Sequence, residues 1–243
     1  MRDILQQNRK AGRDEETAAL IESRFDLVLV HGDERLARLD ETFPLAWRFA
    51  DKIRHTGLVA PPAPEPRPQR FTVTVSAGGG AAGAKLIRAA LLAKPQIRAP
   101  GDWLMLTGPN AADKDWQAYE AMRPPGIELK RFVPDLAAAL AASRVSVSQA
   151  GYNTVADILA AGAASVLVPF AEGGETEQPR RAAALEARGA ALVISEAALT
   201  PERLAEAIDR AAGMRPAALK VSLDGAAETA RILGAALSAR RSA

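Results

Sequence analysis

The sequence contains no cysteine and only two histidines, His31 and His55. Without cysteine, a disulfide framework, a cysteine-ligated metal and a thiol nucleophile are all excluded. This composition fits a reducing compartment, and we expect the protein in the cytoplasm. Because no acids stand at metal-ligand spacing beside the two histidines, neither a metal nor another cofactor is expected.

Aromatic residues are also scarce, and neither sign of charge is in clear excess. Aromatic residues make up 5% of the chain, and 31 Lys and Arg oppose 29 Asp and Glu. Nucleic-acid binding usually needs a basic surface or stacking aromatics, so nucleic acid is not an expected partner. The longest apolar run, residues 158–171, contains Gly162 and Pro169 and is too short for the roughly 20 residues of a membrane span. The first residues lack the apolar core of a signal peptide. Peripheral contact with a membrane stays open.

A proline-rich segment divides the chain. Five prolines fall within residues 61–68, and such a segment favours an extended, stiff spacer. We therefore predict a linker at residues 61–70. Before it, only residues 25–30 have a strand pattern, with helical patterns at 15–23 and 42–53. Since one strand cannot close a core, residues 1–60 are interpreted as the truncated end of a second α/β domain, the acceptor domain implied by the resemblance below.

Residues 71–243 show a regular alternation of apolar strands and helices. This alternation predicts a doubly wound α/β domain with a parallel sheet covered on both faces. Ligands of such sheets bind at the carboxyl ends of the strands, so the loops that follow strands are the candidates for chemistry. The strand patterns cover residues 70–77, 103–108, 127–132, 144–149, 164–170 and 190–195; the helical patterns cover 84–94, 113–122, 134–142, 154–162, 177–189, 200–212 and 225–240.

The loop after the first of these strands, Gly78 to Gly83, satisfies G-x-G-x-x-G. Glycines before a helix allow backbone amides to approach a phosphate, and a tight turn without a ligand is the alternative. A P-loop is excluded, because Ala84 stands where lysine is required. A dinucleotide site is disfavoured, because Thr107-Gly108 follow the second strand where an acid is expected.

A second strand-to-helix segment runs from Ser148 to Thr154. Gly151 allows unusual backbone conformations, and the amides of Tyr152, Asn153 and Thr154 would form an anion site at the helix start. The spacing Thr154-x-x-Asp157 fits a capping box, which we favour on spacing alone. The alternative is that Asp157 accepts hydrogen bonds from a ribose diol.

Two further loops and one histidine complete the candidates. Residues 169–178 combine glycines, acids and Gln178, which suits either a hydroxyl-rich ligand or a solvated loop. In residues 131–136, the backbone of Val133 would lie at a strand end where a flat base could bind, although the residues alone favour a plain turn. His31 follows a strand, but no serine or metal-ligand spacing accompanies it.

In order, these loops resemble motifs of the donor-binding half of the MurG-type transferases, which belong to glycosyltransferase family 28 and have the two-domain GT-B fold. The resemblance covers about Phe71 to Gly225. The family motifs GGSQGA, F-I/V-x-D-M/L, S-G-A-x-T-x-x-E and P-F/Y…x-Q-x-x-N-A are similar to residues 79–84, 132–136, 150–157 and 169–182 of this chain.

The resemblance implies the Rossmann-like C-terminal half of a GT-B hexosyltransferase that uses a UDP-sugar, in the first place UDP-N-acetylglucosamine, for inverting transfer to an unknown acceptor hydroxyl. The Val133 backbone would bind uracil, and Asp157 the ribose. Glu177 and Gln178 would bind the sugar. The residues implied to face the diphosphate are Gly80, Gly83, Tyr152, Asn153 and Thr154; Gly79 and Gly151 are implied to be donor-binding as well.

The chain also departs from the family pattern. Ala81, Gln149, Glu177 and Arg181 replace the family's Ser, Arg, Gln and Asn, which leaves the sugar and the nucleotide open. The catalytic base is expected on the missing N-terminal half, with His31 only a weak candidate, and a separate acceptor-domain polypeptide is a candidate partner. The alternatives are a nucleotide-sugar epimerase or hydrolase and a non-catalytic binding fragment; a dinucleotide oxidoreductase is the weakest.

Overall fold

The computed structural model describes residues 1–7, 10–78 and 83–241 and divides the chain into two compact units. The first unit comprises Met1–Pro61, Gly174–Glu177 and Lys220–Ala243, and the second comprises Pro62–Gly173 and Gln178–Leu219. The sequence grouped residues 220–243 with the second part, whereas the structure groups them with the first. The cause is backbone pairing far along the chain: Leu58 N donates to Ser222 O at 2.9 Å, and Gly225 N donates to Leu58 O at 3.0 Å.

The second unit contains a sheet of six parallel strands, as the sequence predicted. The strands are β3 (Phe71–Ser76), β4 (Trp103–Leu106), β5 (Ile127–Lys130), β6 (Ser143–Ser148), β7 (Ser165–Leu167) and β8 (Leu192–Val193). They follow the order β5-β4-β3-β6-β7-β8 in the sheet, so the chain starts at the centre, winds to one edge and returns to wind to the other. This is the doubly wound arrangement.

Each of these strands is followed by a helix, and the helices cover both faces of the sheet. Along β4, Trp103 and Met105 belong to the core cluster shared with the helices that follow β3 and β8, while Leu104 and Leu106 pack with Leu136 on the other face. Strands buried on both faces are rich in apolar residues, and all four residues of β4 are apolar and buried. β3 and β6 instead alternate valine with Thr or Ser. The helices are α2 (Ala84–Ala93), α3 (Asp113–Met122), α4 (Leu136–Ala141), α5 (Tyr152–Ala161), α6 (Glu177–Glu186) and α7 (Pro201–Ala212).

The first unit contains two parallel strands, β1 (Val28–Val30) and β2 (Ile53–His55), with the helices α1 (Arg13–Arg24) and α8 (Gly225–Arg241). The expectation of a single strand before the linker was therefore wrong. β2 has only three residues, and all three of them are partly or largely exposed, so no apolar pattern marks it.

The helical pattern at residues 42–53 is only partly correct. The segment forms 3-10 turns at Leu39–Glu41 and Pro44–Lys52, with a break at Phe49, where φ is −133°. Phe43 and Phe49 are both fully buried in one cluster, with ring centroids 5.9 Å apart. Six residues do not make whole turns at 3.6 residues per turn, so a regular α-helix would not bury both rings on one side.

In the described ranges, no helix is both long enough and apolar enough to cross a membrane.

Candidate functional site

The centre of the six-stranded sheet is its topological switch point, where β3 and β6 lie side by side and the chain winds away in opposite directions. Ser76 at the end of β3 pairs with Ser148 at the end of β6. The loops that follow are also neighbours, because a Cβ atom built on Gly78 would lie 3.0 Å from Gln149 Oε1. The structure thus brings Gly78, the first residue of the glycine-rich loop, and the Ser148 segment to one crevice, the usual ligand position in such sheets.

Part of the glycine-rich loop lies outside the described residues, including Gly79, Gly80 and Ala81. Gly83 is described, and close packing explains why this position is occupied by glycine. A Cβ atom at this position would lie 2.3 Å from Ala77 Cβ and 2.6 Å from Ala77 O. Gly83 therefore allows α2 to start directly against the end of β3, and its predicted contact with a diphosphate stays a prediction.

Within the Ser148 segment, Gly151 is the residue directly before α5. Gly151 has φ −62° and ψ 150°, a conformation open to any residue, so the expected use of glycine's conformational freedom was wrong. The space around it is open, since nothing lies within 4 Å of a Cβ atom built there. The first bond of α5 runs from Val155 N to Gly151 O at 3.0 Å, so no carbonyl of the helix accepts from the amides of Asn153 and Thr154. Open space in front of such amides is the geometry that binds an anion.

Asp157 does not belong to a capping box. The helix already begins at Tyr152, and its N-cap Gly151 makes no side-chain hydrogen bond, so Thr154 and Asp157 both lie inside the helix. Spacing alone could not locate the helix start, which is why the cap was the favoured interpretation. Within the described part of the chain, the carboxylate of Asp157 is half-buried and has no hydrogen-bond donor. Burial, with a smaller contribution from Asp135, raises the pKa of Asp157 to about 6.

The loop after β5 lies near Asp157, because α4, which follows this loop, packs against α5. Asp135 caps α4 by accepting a bond from Ala138 N at 2.8 Å, and its charge contributes to the raised pKa of Asp157. Two residues earlier, Val133 is half-buried, and neither its amide nor its carbonyl forms a hydrogen bond within the described ranges. Val133 and Asp135 also line a cavity of about 450 Å³, which extends to Phe71 at the beginning of β3 and is not lined by Asp157. An unpaired backbone amide and carbonyl beside an unpaired carboxylate suit a base and its ribose.

Residues of α6 hold the start of α5 in place. Gln178 Oε1 accepts bonds from Ala150 N and Phe170 N, both at 3.1 Å, and so joins the loops after β6 and β7. Arg181 is fully buried, donates to Ala150 O at 3.2 Å and lies 5.5 Å from the centre of the Tyr152 ring. The sequence assigned Gln178 to the sugar, a role that stays a prediction; the structure shows it supporting the loops.

Sequence reasoning missed Glu196, which follows β8 and is buried. Its carboxylate accepts a bond from Ala171 N at 2.9 Å, and its carbonyl accepts a bond from Lys85 Nζ at 2.7 Å. Glu196 therefore fixes the beginning of the loop after β7. An acid shortly after an apolar strand was the available signal, but no motif of the sequence drew attention to it.

Two other candidate site residues, Glu177 and His31, belong to the first unit. Glu177 is 19% exposed and pairs with Arg2, whose Nη1 lies 3.2 Å from Glu177 Oε1. His31 Nδ1 lies 3.0 Å from Thr56 Oγ1. Burial and the neighbouring N-terminal ammonium lower the pKa of His31, so its imidazole is neutral at pH 7. Across the described residues, no three His, Asp or Glu side chains are grouped to hold a metal ion.

Comparison with known proteins gives a family match and several relatives. Residues 73–231 match the glycosyltransferase family 28 C-terminal domain. The UDP-N-acetylglucosamine–N-acetylmuramyl-(pentapeptide) pyrophosphoryl-undecaprenol N-acetylglucosamine transferase of Syntrophotalea carbinolica is 33% identical over 162 residues, which are 65% of this chain and 45% of the relative. The transferase of the same name from Methylorubrum populi is 34% identical over 178 residues, 72% of this chain and 47% of the relative. The chain thus spans about half the length of the curated relatives it matches.

Solved structures are similar in fold. MurG of Acinetobacter baumannii has a TM-score of 0.53 at 18% identity, over 84% of this chain and 73% of that chain. The calicheamicin glycosyltransferase CalG4 has a TM-score of 0.55 at 22% identity, over 77% of this chain and 45% of that chain. At these identities the likeness shows the fold alone, a Rossmann-like half of the GT-B type.

Proposed function

The chain belongs to glycosyltransferase family 28 through its C-terminal domain, and from this premise we propose that it binds the nucleotide-sugar donor of an inverting hexosyl transfer. The observation that carries the proposal is the juxtaposition of Asp157 with the loop of Val133 and Asp135 at the carboxyl edge of the sheet. The Val133 backbone offers one donor and one acceptor, which match the edge of uracil. The Asp157 carboxylate offers two acceptors for the two ribose hydroxyls.

The diphosphate would bind at the start of α5. Open space at Gly151, the unpaired amides of Asn153 and Thr154, and the positive end of the helix dipole all favour an anion there. Buried Arg181 holds the Ala150 carbonyl behind this site, so the amides are fixed before the ligand arrives. As UDP departs, these groups would stabilise the developing charge, and we propose that the transfer needs no metal.

UDP-N-acetylglucosamine is the proposed donor. The printed names of the curated relatives specify this donor, and their acceptor is a lipid-linked saccharide precursor. Glu177 and Gln178 are proposed to bind the sugar hydroxyls. The replacements at Gln149 and Arg181 are the reason to test other sugars alongside it. The acceptor substrate of the proposed transfer and the cytoplasmic location of the protein stay predictions.

The proposed reaction is a single displacement. The oxygen of an acceptor hydroxyl attacks the anomeric carbon, the bond from that carbon to the diphosphate oxygen breaks, and UDP leaves. A base takes the hydroxyl proton. We propose that this base lies on an acceptor domain, either of the same polypeptide or of a separate one.

Calorimetric titration of the chain with UDP, UDP-N-acetylglucosamine and NAD tests the proposal. We expect binding of both uridine ligands and no binding of NAD. Binding of NAD alone would contradict it in favour of an oxidoreductase. Release of free UDP from the sugar nucleotide without an acceptor would identify a hydrolase. Asp157→Ala provides the site control, because its affinity for UDP should fall at least tenfold.

A further inference from the structure

Two neighbouring cavities lie in the first unit, at the carboxyl ends of its two strands. The larger, of about 680 Å³, is lined by residues just beyond β1 and β2 together with residues at the beginning of α8. The smaller, of about 390 Å³, lies beside it, and both are lined by Glu34 and His55. We call this continuous surface, lined by residues within 32–57 and 222–231 of the first unit, the β1–β2 groove. The carboxyl ends of parallel strands are the usual ligand position in such sheets.

Trp47 supplies a flat apolar face in the smaller cavity. Its neighbours Ala46 and Phe49 are buried in the core of the first unit, which leaves the Trp47 side chain directed outward and 73% exposed. In the part of the chain that the structure describes, the indole N–H of Trp47 has no acceptor. Leu39 and Ile53 line the same cavity. The smaller cavity therefore combines apolar walls with one hydrogen-bond donor that has no partner.

The charged side chains of the groove make it negative and leave hydrogen-bonding capacity unused. Five carboxylates line it, against three guanidinium groups. Each arginine pairs with a neighbouring acid: Arg35 with Asp33, Arg38 with Asp40 and Arg231 with Glu228. The two remaining acids, Glu34 and Asp224, accept no side-chain hydrogen bond from any described residue, and Glu34 Oε1 lies 3.6 Å from His55 Nε2. A groove of this sign disfavours phosphates and other anions.

We propose that the β1–β2 groove binds an uncharged saccharide, with one sugar ring against Trp47 and hydroxyl groups on the acids and arginines. The C–H face of a pyranose ring is apolar and packs against an aromatic face, while its hydroxyls both donate and accept hydrogen bonds. Glu34 and Asp224 need donors and the Trp47 indole needs an acceptor, so hydroxyl groups match both. Because Trp47 lines only the smaller cavity and Asp224 only the larger, we expect a ligand of at least two sugar rings.

Other classes of ligand fit the groove less well. A nucleotide or the headgroup of an acidic lipid would meet its negative charge. An acyl chain would remove water from the three ion pairs without replacing the lost hydrogen bonds. A quaternary ammonium ion would suit Trp47 and Glu34, but it offers no acceptor to the indole N–H or to the arginines. The proposed nucleotide contacts lie in the second unit, so this inference does not depend on them.

Titration of the chain with cellobiose, maltose and di-N-acetylchitobiose tests the inference, with calorimetry and acrylamide quenching of tryptophan fluorescence as the readouts. We expect at least one of these disaccharides to bind and to shield Trp47 from the quencher, whereas Trp103 is already fully buried. Trp47→Ala should weaken the binding about tenfold, and Glu34→Gln about fivefold. Phe25→Ala is the matched control and should bind normally, because Phe25 is an exposed aromatic residue of the same unit that lines neither cavity.

Trp47 and Glu34 are both largely exposed, so the two variants should fold. Should Trp47→Ala fail to fold, the affinity of Glu34→Gln decides. A folded wild-type chain that binds none of the three disaccharides, or variants that bind them as tightly as the wild type, would overturn the inference. Shielding of Trp47 only by tetramethylammonium, or only by vesicles of phosphatidylcholine and phosphatidylglycerol, would overturn it in favour of a cation site or a membrane-facing surface. A chain that binds a disaccharide but no UDP would refute the proposed function alone.

Discussion

Two glycines of the candidate site have opposite reasons to be glycine. Gly83 has no room for a Cβ atom, because Ala77 lies 2.3 Å from the position it would occupy. Gly151 has room and an ordinary backbone conformation, so the free fold does not require glycine there. The simplest reason for its presence is the close approach of a ligand.

Alanine substitutions should separate these two roles. Gly83→Ala forces α2 away from the end of β3, and we expect a loss of about 2 kcal/mol in the free energy of unfolding. Gly151→Ala should leave that free energy within about 0.5 kcal/mol but weaken UDP binding. Denaturant unfolding and calorimetry measure the two quantities. A strongly destabilised Gly151→Ala would contradict the assignment of this space to a ligand.

Asp157 is expected to cost stability in the free protein. Its pKa is raised from 3.8 to about 6, so the folded chain binds this proton more tightly than the unfolded chain does. The carboxyl therefore favours folding at low pH, and this contribution is lost as the pH rises from about 4 to about 6. Asp157→Asn should match the wild type below pH 4 and exceed it by about 1 kcal/mol above pH 6. Urea unfolding of both proteins across this pH range measures the difference, with Asp51→Asn at an exposed site as the matched substitution.

The same substitution, Asp157→Asn, should weaken ligand binding. Hydrogen bonds to a charged group are stronger than those to a neutral amide, so Asp157→Asn should lower UDP affinity about tenfold. Wild-type affinity for the sugar nucleotide, whose phosphates do not titrate near pH 6, should fall as the pH drops through 6. The affinity of the variant should stay flat across that range. A variant that binds as tightly as the wild type at pH 7.5 would remove Asp157 from the ribose site.

At the scale of elements, the sequence predicted what depends on local pattern. The six strand–helix units were correct because their strands are either apolar at every position, as in β4, or alternate valine with Thr or Ser, as in β3 and β6. β2 was missed because its three residues are partly exposed and gain stability only by pairing with β1. The start of α5 was misplaced because Gly151 precedes the helix without a side-chain cap. The hydrogen bonds of Gln6 with Gly174 and Thr176 join residues about 170 positions apart, and no local pattern can reveal them.

The start of α6 provides a prediction about how elements cooperate. Gln178 joins the loops after β6 and β7 through two backbone amides, and Ala150 at one end is fully buried. Gln178→Met keeps the length of the side chain but leaves both amides without this acceptor. We expect a loss of about 2 kcal/mol in the free energy of unfolding and weaker UDP binding, because the start of α5 loses its support. An unchanged free energy of unfolding, together with normal UDP affinity, would show that the two hydrogen bonds of Gln178 are not needed.

For the whole molecule, the proposed nucleotide contacts belong to one unit. Val133, Tyr152–Thr154, Asp157 and Gln178 all lie in the second unit. The sequence placed its boundary at the proline-rich segment, but the grouping of residues 220–243 with the first unit depends on pairing with Leu58, which only the folded chain reveals. We therefore expect the second unit to recognise the nucleotide by itself.

A fragment of residues 62–219 tests this assignment. Its sheet keeps all six strands with helices on both faces, and the core of the second unit lies within it, so we expect one cooperative unfolding transition. Because it contains all the proposed nucleotide contacts, it should bind UDP as the full chain does. A folded fragment that binds no UDP would place nucleotide recognition outside the second unit.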